Sequence, residues 1–310
     1  MMSAPRIEPV IPVSIQYGML KPITGHPKPK GLEAAMTTLT ADTAVVAEDV
    51  GNILSMEHVN VRVPDQSLAT LFYVVGLGFT RDPYMNVGLT NMWVNIGDQQ
   101  FHLPTGQPQV LRGHVGLVVP DLEALERRLA EVREGLAGTA FGWSEQREYV
   151  AVTSPWGNQY RCYGPGRFGA MTLGIPYVEF SVQAGAAPAI QRFYQQVMSA
   201  PGRLQNRDAG PATVIEVGPG QELVFQENET VPEYDGHHIA IYVAGFSGPY
   251  QYLDERKLIT EGVRNHQFRF QDIIDPESDQ SVFAIEHEVR SIRHPGYRRQ
   301  LVNRDTVVLA

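Results

Sequence analysis

Three histidines carry the first hint of chemistry in this chain. His58, His114 and His238 stand at one point of a strand-like phrase that reads MEHVNVRV, GHVGLVVPDL and HHIAIYVAGF. A fourth copy, IPYVEFSV, has Tyr177 at that point. The phrases recur about every 60 residues, which marks one small supersecondary unit used four times. Imidazoles brought from distant stretches of a chain to one centre can ligate a divalent metal. A lone strand histidine is more simply a hydrogen-bonded member of a polar core. Repetition at a matching position is what favours ligation.

The elements that must position these side chains are legible in the same phrases. Val59, Val61 and Val63 alternate with His58, Asn60 and Arg62, and Val115, Leu117 and Val119 with His114 and Gly116. Such alternation predicts a strand with one packed face and one face of different chemistry. Val178 and Phe180 against Tyr177 and Glu179, and Ile239 and Ile241 against His238 and Ala240, follow the same rule. A helical stripe comes next: Leu122, Leu125, Leu129 and Val132 after Asp121, a predicted N-cap, and Leu68, Leu71, Phe72 and Val75 after Asp65. Ile190, Phe193, Tyr194 and Val197 form a third stripe, and a less regular one runs from Leu253 to Ile259. Room for about three short strands follows each helix, bounded by turn signals such as SPWGN and DPESD. The expected unit is strand, helix, three strands, with the histidine face lining a concavity.

Composition bounds the rest. The chain has 310 residues, 43% of them hydrophobic and 19% charged, so a packed core is expected. A net charge of −9 argues against nucleic acid or an anionic membrane as partner. The single cysteine, Cys162, excludes an intramolecular disulfide and suits a reducing, cytoplasmic setting. No secretory signal or membrane-spanning run is apparent. Residues 1–54, with GHPKPKG among them, are expected to form a flexible N-terminal arm.

In these phrases and their order, the chain resembles the vicinal oxygen chelate superfamily of glyoxalases, bleomycin-resistance proteins and extradiol dioxygenases. The resemblance rests on the His58 and His114 phrases, LFYVVGLGF (71–79), SPWGNQYRCYGP (154–165), RFYQQVM (192–198), HHIAIYV (237–243) and DPESDQSVFAIE (275–286). It implies an α+β fold of four βαβββ units paired into two cup-shaped domains. The expected domains are 55–165 and 174–290, followed by a C-terminal strap over 291–310.

The superfamily draws its metal ligands from the first and last strands of paired units. Carried onto the first cup, those positions are His58, His102, His114 and Arg161. Alternation agrees, since Phe101 and Leu103 take the packed face beside His102. The resemblance thus implies one divalent ion (Fe, Zn, Mn or Ni) on His58, His102 and His114, and no organic cofactor. Arg161 departs from the pattern, because a guanidinium stands where the superfamily has a ligating carboxylate. In this reading Arg161 clamps an anionic substrate, with Asn60 and Arg62 as further binding residues and Tyr163 as a donor to a substrate oxygen. In the second cup Tyr177, His238 and Glu286 hold the corresponding positions, and Glu288 also points inward. His238 with Glu286 is a weaker metal candidate, with a plain buried ion pair as the rival reading.

The implied function is metal-dependent chemistry (lyase, isomerase or dioxygenase) on a small oxygenated, anionic substrate. The alternative is a metal-free binding or sequestration protein of the bleomycin-resistance type. A homodimer is compatible with either. No glycine-rich phosphate loop or Gly-x-Ser-x-Gly elbow occurs, and Cys162 on a packed face is a poor nucleophile. The charged run EHEVRSIRHPGYRRQLVNR (286–304) is expected to lie across the domain junction, held by arginine–carboxylate pairs.

Overall fold

The computed structural model describes residues 51–85 and 88–304. Unit one comprises β1 (Ile53–Asn60), α1 (Gln66–Ala69) continuing as a π-helical stretch (Thr70–Gly76), β2 (Thr80–Arg81), β3 (Asn91–Ile96) and β4 (Gln99–Pro104). Unit two has β5 (Gly113–Val118), α2 (Leu122–Glu131), β6 (Gly142–Glu145), β7 (Val150–Thr153) and β8 (Gln159–Tyr163). Unit three has β9 (Gly174–Gln183), α3 (Ala187–Gln196), β10 (Gly202–Arg207), β11 (Gly210–Glu216) and β12 (Glu222–Asn228). Unit four has β13 (His238–Val243), α4 (Ser247–Glu255), β14 (Ile259–Arg264), β15 (Gln267–Ile274) and β16 (Ser281–Ser291). Each is the βαβββ unit that the alternation and the helical stripes predict.

Capping explains where the first two helices begin. The Asp65 carboxylate accepts from the backbone N–H groups of Ser67 and Leu68, and Asp121 accepts from that of Ala124. Each satisfies donors that the first helical turn leaves free. No helix among the described residues is long and apolar enough to cross a membrane.

Two eight-stranded sheets result, ordered β14-β15-β16-β13-β1-β4-β3-β2 and β10-β11-β12-β9-β5-β8-β7-β6. Unit one therefore shares a sheet with unit four, through antiparallel β1 and β13. Unit two shares the other with unit three, through antiparallel β5 and β9. This corrects the expected domains 55–165 and 174–290, which paired units one with two and three with four. The physical reason is that sequence neighbours meet through their packed faces instead. Tyr73 of unit one and Tyr160 of unit two bring their hydroxyls to 2.6 Å in the core, and Phe101 packs edge-on to Tyr160. Val59, Leu117, Phe180 and Ile241 all join one continuous apolar core. Their burial, at about 25 cal/mol per Å² of apolar surface, holds the units together whichever first strands pair.

The expected arm over 1–54 lies outside the described residues except for 51–54, where β1 has already begun at Ile53. At the other end the chain returns from β16 to unit one. Arg299 pairs with Asp82 at 2.6 Å, and the Asn95 amide donates to the Val302 carbonyl at 2.9 Å. Asn303 accepts from Gly97 N–H at 3.0 Å. The segment thus ties unit four back to unit one; residues 305–310 of the expected strap lie outside the described residues.

Candidate metal centre

The concave floor of the first sheet gathers His58 from β1, His102 from β4 and His238 from β13. A ring nitrogen of each lies within 4.8 Å of one of each of the others. Register explains the convergence: Asn60 pairs with His102 across β1 and β4, and with His238 across β1 and β13. A register shift between Met56 and His58 adds a bulge to β1. Met56 and Val59 stay in the core, so Glu57 and His58 both turn to the concave side.

Neighbouring groups fix how the imidazoles present themselves. His58 Nδ1 donates to Glu57 Oε2 at 2.5 Å. The Asn60 amide meets His102 Nδ1 at 2.7 Å, and Trp93 stacks on the His102 ring at 3.9 Å between centroids. His238 Nδ1 lies 3.4 Å from Glu286 Oε1, and its Nε2 lies 3.8 Å from Glu288 Oε2. Nε2 of all three histidines is buried without a hydrogen-bond partner. Leaving a buried polar atom unsatisfied costs about 1–3 kcal/mol, so three together at one point need an explanation. A divalent metal accepting three nitrogen lone pairs supplies one. The donor set fits such an ion.

A chain of ion pairs surrounds the cluster. Arg290 bonds Glu57 at 2.7 Å and Glu288 at 2.5 Å, while Arg269 bonds both Glu286, at 2.7 Å, and Glu288. Burial would raise the Glu57 carboxyl, yet the neighbouring His58, which bonds it, and Arg290 outweigh that and hold it at about 2. Glu288 is likewise lowered against its burial, by His58, Arg290 and Arg269. Burial, with His58 and Arg290 nearby, depresses His102 to about 2, and burial with His58 and Arg269 depresses His238. Both imidazoles are therefore neutral at neutral pH, which is the form that ligates metal. Beyond Glu57, a cavity of about 650 Å³ is lined by Ser55, Glu57, Tyr242, Tyr297, Arg298 and Arg299 among others.

The other expected site residues lie elsewhere. His114, Arg161 and Tyr163 are on the second sheet, because unit two pairs with unit three. The expected trio of His58, His102 and His114 is therefore not assembled, and His238 takes the third place. His114 Nε2 meets the Tyr177 hydroxyl at 3.1 Å and its Nδ1 lies 3.6 Å from Glu179. Asn60 is at the cluster. Arg62, past the end of β1, is exposed and donates to the Asp235 carbonyl at 3.4 Å. Glu286 stands beside His238, as the weaker candidate pair implies. Sequence reasoning does not single out Glu57, Trp93, Arg269 or Arg290. Alternation along β16 could have flagged Arg290, two residues beyond Glu288, but no sequence signal announces the bulge that turns Glu57 inward.

No family model and no curated protein matches this chain by sequence. Solved structures do match. A point mutant of glyoxalase I from Zea mays superposes with a TM-score of 0.55 at 15% identity, covering 80% of this chain and 96% of that one. Glyoxalase I from Zea mays gives 0.53 at 12% identity, covering 76% of this chain and 91% of the other. The chain has the vicinal oxygen chelate fold. At such identities the likeness concerns the fold, and activity must be read from this chain's own side chains.

Proposed function

We propose that this chain is a metal-dependent enzyme of the vicinal oxygen chelate type, with one divalent ion held by His58, His102 and His238. The observation that carries this reading is the set of three imidazoles, each with a buried, unpartnered Nε2, whose ring nitrogens come within 4.8 Å of one another from distant stretches of the chain. Glu57 orients the His58 ring and keeps its proton on Nδ1, leaving Nε2 a bare lone pair. Asn60 Nδ2 faces His102 Nδ1; with that amide turned over, its oxygen would hold the His102 proton on Nδ1 in the same way, and Trp93 limits the tilt of the ring. Glu288 supplies the fourth ligand in this reading, giving up part of its contact with Arg269 and Arg290.

When bound, such an ion polarises a carbonyl or holds adjacent oxygens of a small oxygenated substrate. The cavity beside Glu57 and Tyr242 offers room, and Arg298 on its wall favours an anion. Glu286, near the cluster and held by Arg269, is the candidate to receive a substrate proton.

The test is metal content by mass spectrometry on untagged protein, after reconstitution with Fe, Zn, Mn and Ni in turn. Wild type and His114→Ala should carry near-stoichiometric metal, and His58→Ala, His102→Ala and His238→Ala should not. Loss of metal on removing His114 with retention on removing His238 would overturn the assignment. Metal-free wild type under every condition would leave the sequestration reading.

A further inference from the structure

The second sheet has positions equivalent to those of the first cluster, and they follow from register. His58 faces Ala240 across β1 and β13, and His114 faces Glu179 across β5 and β9. Two residues on, Asn60 faces His238 and Gly116 faces Tyr177. On the outer neighbours, Asn60 pairs with His102 and Gly116 with Arg161, while Ala240 pairs with Glu288 and Glu179 with Val224. Where the first floor has His58, His102, His238 and Glu288, the second has His114, Arg161, Tyr177 and Val224. Only one of these four ligates a metal readily.

We propose that this second floor is a metal-free binding site for a small aromatic carboxylate, anchored on Arg161. The neighbouring cations are paired: Arg207 with Glu179 at 2.6 Å and Arg167 with Glu148 at 2.7 Å. Among the described residues the Arg161 guanidinium makes no hydrogen bond or ion pair. It lies partly exposed, 5.2 Å from the centroid of the Tyr149 ring. A planar fork of N–H donors over an aromatic face matches a carboxylate attached to a planar body.

The surrounding walls match that body. Tyr163 packs at 5.4 Å against Tyr149 and 5.2 Å against Phe168, and Phe168 at 5.9 Å against Tyr177. Ala212, Val214 and Val224 complete this apolar cluster. A polar thread crosses the floor: the Tyr163 hydroxyl meets that of Tyr177 at 3.0 Å, and Tyr177 meets His114. These groups can donate to, or accept from, an oxygen substituent on the ligand. Gly116 makes the arrangement possible, since a Cβ there would overlap the Tyr177 ring.

Isothermal titration of the full chain with benzoate tests this, after chelator treatment so that no metal can take the carboxylate. One equivalent should bind. Arg161→Gln should weaken binding at least tenfold, Arg161→Lys less, and His58→Ala not at all. Benzamide and cyclohexanecarboxylate should bind more weakly than benzoate, for want of charge and of a planar ring respectively. The proposal fails if benzoate does not bind at millimolar concentration. It also fails if binding survives Arg161→Gln, or if binding depends on His58 instead. Should Arg161→Gln not fold, Tyr149→Ala takes its place: it should erase the preference for benzoate over cyclohexanecarboxylate, and an unchanged preference counts against the site.

Discussion

Two concave floors built on one strand register carry different chemistry. The first floor gathers three imidazoles and surrounds them with a chain of ion pairs, three carboxylates (Glu57, Glu286 and Glu288) against two guanidiniums (Arg269 and Arg290). The second keeps one imidazole, replaces another with a guanidinium, and fills the middle with phenols and small apolar side chains. The backbone fixes where four side chains meet. What they do there depends on residue type alone, so a duplicated unit can lose ligands on one floor and keep them on the other without altering the sheet.

The sharpest way to break this comparison is to remove charge from the first floor. Glu288 answers two arginines, so Glu288→Ala takes one carboxylate partner from each of Arg269 and Arg290, leaving them Glu286 and Glu57, and should cost about 1.5–3 kcal/mol in metal-free protein. The equivalent Val224→Ala on the second floor deletes only apolar contacts and should cost less. Urea denaturation of both variants measures the difference, and equal losses would contradict the ion-pair account.

Metal should separate the floors next. Saturating the proposed site at about 100 times Kd should stabilise wild type by about 2.7 kcal/mol. His114→Ala should keep that gain and His238→Ala should lose it, read as a thermal shift with and without metal.

How far the sequence alone reveals all this varies by residue. The repeated phrase locates β1, β5, β9 and β13, because alternation is local and survives in sequence. Asp65 and Asp121 announce their helices for the same reason. His58, His102, His238 and Glu286 are each expected to face inward, and that depends only on strand parity. Their grouping is not legible. All four phrases have the same alternation, so the pattern cannot say whether β1 lies beside β5 or β13. Clues do exist in Gly113 and Gly116: a Cβ at either would collide with β9, the first with the Glu179 carbonyl and the second with the Tyr177 ring. A glycine does not name its partner, however, and Glu57 reaches the floor through a bulge that parity cannot foresee.

Steric fit offers a smaller test. Gly116→Ala should destabilise by about 1–3 kcal/mol through the Tyr177 ring, and most of that should disappear in a Tyr177→Ala background. Asn60→Ala, its counterpart, has no such partner clash and should show no rescue when His238 is shortened.

The pH response should be gentlest. Burial holds His114 at about 4, so the folded state binds fewer protons than the unfolded chain below the ordinary histidine value of about 6.5. The stability this neutral imidazole contributes is complete above that value and is lost as pH falls towards 4, at up to about 1.4 kcal/mol per pH unit. His102, held at about 2, should extend the same loss to lower pH in metal-free protein. Denaturation midpoints against pH for His114→Ala and wild type should diverge only within the upper window.

The pairing of β1 with β13 also sets a timetable. The second sheet is built from a contiguous run, 113–228, and can close once that run has left the ribosome. The first must hold β1 unpaired on its β13 side until the fourth unit is made, across a separation of about 180 residues in chain order. Two of the three clustered histidines, His58 and His102, are synthesised early and His238 late. A chain cut short before β13 therefore has a finished second floor and an open strand edge where the histidine cluster would close.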